Sequence, residues 1–142
     1  MGLDDASPNK TPAKYGPLSK DKDEESCNTN FNYASIVGMI LYLQSHSRPE
    51  ISFAVSQCAR YTFNPRFSYE IDLKRIRHYL KDTRTRGLIL SPSTDLTLDY
   101  YVDSDFDGLW SYEDDQDPTC VHSRTKFIMI VANCPVIWSR KL

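Results

Sequence analysis

An α+β fold, three helices followed by antiparallel strands, is predicted by a change of hydrophobic period along the chain. From residue 31 to about residue 86, apolar residues recur three and four positions apart; beyond Gly87 they alternate. Proline and glycine fall at the borders, with Pro49 and Pro65 between the helical runs and Gly87 where the period changes. With 142 residues, 40% of them apolar, the chain has material for one ordinary domain or two small ones.

Residues 1–30 are rich in Pro, Lys, Asp, Ser and Asn, lack apolar periodicity, and are expected to form a disordered linker or tail. A first helix is capped by Asn32 and buries Ile36, Val37, Ile40, Leu41 and Leu43. Arg48 ends it, because the residue before a proline is pushed out of the helical region. Pro49 suits the first turn of a second helix, with Glu50 near its positive end. Its buried side is Ile51, Phe53, Ala54, Val55, Cys58, Ala59 and Tyr61, and Asn64-Pro65 closes it. A third helix begins near Ser68, a suitable cap, and turns Ile71, Leu73, Ile76, Tyr79 and Leu80 inward. Its other side carries Lys74, Arg75, Arg77, His78 and Lys81. After Gly87, "GLILSP" reads as a short strand, and Leu96, Leu98, Tyr100 and Val102 alternate with polar residues in a second. Residues 107–119 hold too many turn formers to be regular. Residues 125–142 then supply a strand, a tight turn at Asn133 to Pro135, and another strand. The organisation expected is a tail over 1–30, a helical region over 31–90 and a β region over 95–142.

A net charge of −2 hides a division. Between Arg66 and Arg86 the cations Arg66, Lys74, Arg75, Arg77, Lys81, Arg84 and Arg86 outnumber Glu70, Asp72 and Asp82; from Asp99 to Asp117 every charge is negative. That division suits a metal-dependent enzyme acting on a polyanion, although composition alone favours two solvated faces. Cys27, Cys58, Cys120 and Cys134 stand at long, irregular intervals with no histidine at ligand spacing, which argues against a zinc site. The opening "MGLDDASPNK" is acidic without an apolar run, so no signal peptide is expected, and Ala6 breaks the myristoylation pattern. No apolar stretch approaches membrane-spanning length; reduced thiols in the cytoplasm or nucleus are the expectation.

The acidic stretch opened by Asp103, Asp105, Asp107 and Gly108 admits three readings. As a calcium loop it is poor: Asp114 stands where a bidentate Glu is usual, Trp110 where a small aliphatic residue belongs, and the entering segment alternates like a strand. As a solvated acidic turn it needs no ligand. As a strand-borne metal ligand, Asp103 meets the need of two-metal phosphodiester hydrolysis for carboxylates on rigid elements around ions roughly 4 Å apart. His46, His78 and His122 lie far apart and read as structural or exposed.

From Phe31 to Leu90 the chain resembles the segment after the reverse transcriptase core of copia-type LTR retrotransposon Pol polyproteins. The family's Y-x-S-x-V-G-x-L-x-Y-L helix is matched by Tyr33, Ser35, Val37, Gly38, Tyr42 and Leu43. Its R-P-D-I-x-F-A-V helix is matched by Arg48, Pro49, Ile51, Phe53, Ala54 and Val55, and its R-I-x-R-Y-L-K-G-T helix by Arg75, Ile76, Tyr79, Leu80, Lys81 and Thr83. "DYYVDSDFDGLW" is similar to the opening strand and loop of the family's RNase H domain. The resemblance implies that residues 95–142 begin an incomplete RNase H-like domain, with Asp103 at the position of the first catalytic aspartate and of a Mg2+ ligand. It implies an RNA–DNA hybrid as the parent's substrate, and a backbone-tracking role for Lys74, Arg75, Arg77 and Lys81. Lys126 and Asn133 stand where the family usually has Gly, and Asp82 replaces the Gly of K-G-T. The family's later T-E-A-E-Y and D-N stretches, which supply the other carboxylates, are not in this sequence. The expectation is therefore a Pol fragment inactive alone, or a degenerate element-derived protein that binds nucleic acid through its basic helix.

Overall fold

A computed structural model describes residues 10–14, 18, 25–28, 30–105 and 124–141. The chain divides into two compact units, Met1–Gly87 and Leu88–Leu142. The first is helical, with α1 (Tyr33–His46), a 3-10 turn (Pro49–Ile51), α2 (Ser52–Ala59) and α3 (Phe67–Asp82). The second contains β1 (Leu98–Asp105), β2 (Arg124–Val131) and β3 (Cys134–Lys141), so the class is α+β.

Helix α1 starts where the sequence predicts, the Asn32 side chain accepting from the Ser35 N–H at 3.1 Å. Its buried line is Tyr33, Val37, Ile40 and Gln44, while Leu43 and Met39 stay exposed. The Tyr33 hydroxyl donates to the Cys58 carbonyl at 2.9 Å and so joins α1 to the end of α2. Pro49 opens a single 3-10 turn before α2 begins, and α2 stops at Ala59, well short of Asn64. Ile51, Val55, Cys58, Leu73 and Ile76 make the dry centre of the unit, with Tyr69 and Tyr79 closing its sides.

The start of α3 departs from expectation. Arg66, not Ser68, is the capping residue, and no side chain caps the helix. Backbone groups from a distant stretch serve instead, the Phe67 N–H donating to the Glu25 carbonyl at 3.0 Å and the Cys27 N–H to the Pro65 carbonyl at 3.0 Å. This short antiparallel bridge, Ser26 opposite Arg66, satisfies a donor that helix geometry leaves unpaired. Ala13, Leu18 and Cys27, from the stretch expected as a linker or tail, pack against the helical core.

The far end of α3 is held by Arg48. Its guanidinium donates to both the carbonyl and the hydroxyl of Thr83, its Nε donates to Glu50 at 2.6 Å, and its plane lies over the Tyr79 ring. A planar five-donor group meets three acceptors at once, and a flexible ammonium has no equivalent geometry.

The sheet order is β1-β2-β3, antiparallel throughout. The short strand predicted at "GLILSP" does not form; residues 88–92 are irregular, with Ile89 and Leu90 exposed. Nothing among the described residues pairs with that stretch, and an apolar run alone does not make a ladder. The β2–β3 turn lies at Ala132-Asn133, both with positive φ (50° and 66°), as a two-residue type I′ connection requires. The expected turn, Asn133 to Pro135, starts one residue late and runs two too far: Pro135 falls inside β3, opposite Ile130 at a register shift. A bulge on an outer strand is where a residue without an N–H is tolerated.

Candidate functional site

Along β1, period-two alternation puts Asp99, Tyr101 and Asp103 on one face and Leu98, Tyr100 and Val102 on the other. The segment entering Asp103 is a strand, so the helix that an EF-hand requires is replaced by β1. Asp105 belongs to the same strand; Asp107, Gly108, Trp110 and Asp114 lie outside the described residues. Asp103 stands two residues before the end of β1, directly opposite Lys126 of β2, which in turn faces Arg140 of β3. The Lys126 ammonium donates to Asp103 Oδ2 at 2.9 Å, and both side chains are open to water, at 37% and 66%.

A pair of divalent ions needs several convergent carboxylates. Among the described residues no three His, Cys, Asp or Glu side chains gather into a metal-sized group. Asp103 brings one carboxylate, and its cross-strand neighbour is already a cation. Those residues do not fit a two-metal centre.

Helix α3 is the other candidate. Lys74, Arg77, His78 and Lys81 recur at three- and four-residue spacing, away from Leu73, Ile76 and Tyr79 in the core. The sequence grouped Arg75 with them, but its guanidinium is turned to Thr11, with Nε to the carbonyl at 3.2 Å and Nη2 to the hydroxyl at 2.9 Å. Lys74 serves two contacts, an ion pair with Glu70 at 2.5 Å and a cation–π approach to Phe31 at 5.3 Å. Arg77 and His78 are half-buried.

Glu70, counted in the sequence only as an opposing charge, is 2% exposed. It accepts from the Asn28 N–H at 3.1 Å and the Cys27 thiol at 3.2 Å, besides pairing with Lys74. Burial pushes its carboxyl up, but the hydrogen bonds from Lys74, Asn28 and Cys27 outweigh burial and hold it below its ordinary value. The available signal was the i,i+4 spacing of Glu70 and Lys74, which marks a pair but says nothing of burial.

Neither Cys27 nor Cys58 is held as a thiolate. Burial, then the hydrogen bond to Glu70 and its charge, raise Cys27 to about 11; burial raises Cys58 to about 12. Among the described residues no helix is long and apolar enough to cross a membrane.

The sequence matches no protein-family model and no solved structure. It is 30% identical over 109 residues to a transposon Ty5-1 protein of Saccharomyces cerevisiae, a match covering 77% of this chain and 33% of that protein. It is 33% identical, again over 109 residues and 77% of this chain, to the retrovirus-related Pol polyprotein from transposon RE1 of Arabidopsis thaliana, of which it covers 7%. A secreted RxLR effector protein of Plasmopara viticola is 34% identical over 79 residues, 56% of each chain. The chain thus spans a third or less of the two transposon relatives. Its three helical motifs, their order and these matches place it in the family of Ty5- and copia-type retrotransposon Pol polyproteins.

Proposed function

We propose that this part of a Pol polyprotein contacts nucleic acid, its α3 strip of Lys74, Arg77, His78 and Lys81 following a phosphate backbone. The observation that carries the reading is the placement of Lys74, Arg77 and Lys81 on one side of a helix whose other side is locked into the core. A helix fixed in this way presents its charges at a constant spacing, and phosphates reward spaced cations through counterion release. The preferred ligand is an RNA–DNA hybrid, the substrate implied by the Pol resemblance.

The sheet, on this reading, opens an RNase H-like domain with Asp103 as one future metal ligand. Hydrolysis of the RNA strand belongs to an intact polyprotein that brings more carboxylates to Asp103. In this chain Asp103 is occupied by Lys126, and no hydrolytic step is assigned to it.

Fluorescence anisotropy with a labelled hybrid, repeated across a salt series, tests the binding reading. Arg77→Ala is expected to weaken binding and to lower the slope of log K against log salt by about 1. An unchanged slope for Arg77→Ala and Lys81→Ala together overturns it. The hydrolytic reading of the parent fails if Asp103→Asn in the full polyprotein leaves ribonuclease turnover intact.

A further inference from the structure

Residues 7–14 read SPNKTPAK, two successive copies of one four-residue pattern: a hydroxyl residue, proline, any residue, lysine. The second copy, Thr11 to Lys14, lies among the described residues and rests on α3. Thr11 is exposed, its hydroxyl donating to the Ala13 carbonyl at 3.1 Å while accepting from Arg75 Nη2 at 2.9 Å. Arg75 Nε donates to the Thr11 carbonyl at 3.2 Å, so one guanidinium edge closes on a single residue. The Lys14 ammonium lies 3.5 Å from Asp72 Oδ1, and Ala13 packs against the core.

We propose that Thr11 is a phosphorylation site for a proline-directed protein kinase, and that Arg75 is the receptor for the phosphate it gains. The chemistry of the segment carries the first half. A kinase cleft with no acceptor for the amide after the target hydroxyl selects proline there, because proline brings no N–H. A lysine two residues beyond the proline supplies a charge for an acidic rim. Ser91-Pro92 has Thr94 at that place, which makes it an internal comparison. The γ-phosphorus of ATP forms a bond to Thr11 Oγ1 as its bond to the bridging oxygen breaks; ADP leaves, and the hydroxyl proton passes to the kinase base.

The geometry carries the second half. A guanidinium with two donors already aimed at Thr11 meets a phosphate bidentately without moving its helix. The bond to Ala13 is lost with the hydroxyl proton, and charge-assisted bonds to Arg75 replace it. Release of residues 10–14 for the kinase gives up a few surface bonds of Thr11 and Lys14 and the partial burial of Ala13, a local opening that leaves the helices in place. The phosphate adds about −1.5 to −2 charges on the Arg75 flank of α3. If the nucleic-acid reading of that helix holds, on which this consequence rests, phosphorylation weakens hybrid binding.

The test treats the full chain with a purified proline-directed kinase and Mg-ATP and maps the product by mass spectrometry. With Ser7→Ala in every chain, because Ser7 carries the same pattern, phosphate is expected on Thr11, absent from Thr11→Val and Pro12→Ala, and absent from Ser91. A broad-specificity phosphatase should then release it several-fold more slowly from the chain that keeps Arg75 than from Arg75→Gln. No phosphate on Thr11 overturns the site; equal release from both chains overturns Arg75 as its receptor. Phosphorylation and slow release as expected, with hybrid affinity unchanged, support the site and sink the nucleic-acid reading of α3 instead.

Discussion

The helical unit and the sheet unit both carry apolar residues at the period their elements demand, yet only the helical one takes most of them out of water. Ile51, Val55 and Leu73 are fully enclosed, whereas Leu98, Tyr100, Tyr101 and Val102 of β1 are each more than half exposed. The difference follows from how each element is completed. An antiparallel ladder satisfies its backbone groups between strands, whatever covers its faces. Short helices gain most of their stability from tertiary packing, so α1, α2 and α3 persist by burying side chains together. Leu98, Tyr100 and Val102 with the half-buried Phe127 and Met129 form an apolar sheet face built to the right period, its β1 side left largely open to solvent.

Truncation of the two interiors is the strongest way to break this comparison. Leu73→Ala is expected to destabilise the helical unit by about 2–5 kcal/mol in urea unfolding, the range for an enclosed leucine. Val102→Ala, at 57% exposure, should cost less than about 1 kcal/mol. Equal losses would mean that the β1 face is covered in solution.

Glu70 comes next. Glu70→Gln keeps the shape but points an amide donor at groups that all donate, and should cost about 1–3 kcal/mol. It should also alter the acid limb of the stability curve. The native carboxyl is held below its ordinary value near 4.5, so its contribution is full above that value and lost as pH falls through the lower folded one. Stability of the Gln variant should be flatter across that window; an identical acid limb in both chains would refute the role given to Glu70.

In the sheet, Ala132 holds φ 50°, a left-handed conformation that costs an alanine more than it costs an asparagine such as Asn133 at φ 66°. Ala132→Gly should therefore raise stability by about 1 kcal/mol, detectable as a higher denaturation midpoint. A fall would show that the methyl group, buried at this turn, contributes more than the strain costs. The smallest effect is expected at the Asp103–Lys126 pair. Lys126→Ala should change stability by no more than about 0.5 kcal/mol, because both partners are open to water.

Much of the fold was legible residue by residue. Asn32 declared the start of α1 because its short side chain reaches its own helix, and the strand character around Asp103 showed in simple alternation. The start of α3 did not show, since Ser68 is a good cap by type while the donor of Phe67 is met by the distant Glu25 carbonyl. The β2–β3 turn was misplaced because proline is usually a turn residue, and the bulge that admits Pro135 depends on its partner strand. Of the candidate sites, the basic side of α3 was readable from spacing. The diversion of Arg75 to Thr11, and the second partner that Lys74 has in the buried Glu70, were not.

Local periodicity and chemistry determined which stretches are helix or strand, which helix face is basic, and the family resemblance of the motifs in their order. Contacts between residues distant in the chain decided the rest: the burial of Glu70, the clasp of Arg48 on Thr83, and the ammonium set against Asp103 from the neighbouring strand. The physical reason is range. Helix and strand preferences act over a few residues, whereas burial and ion pairing belong to whatever the folded backbone brings within a few ångströms.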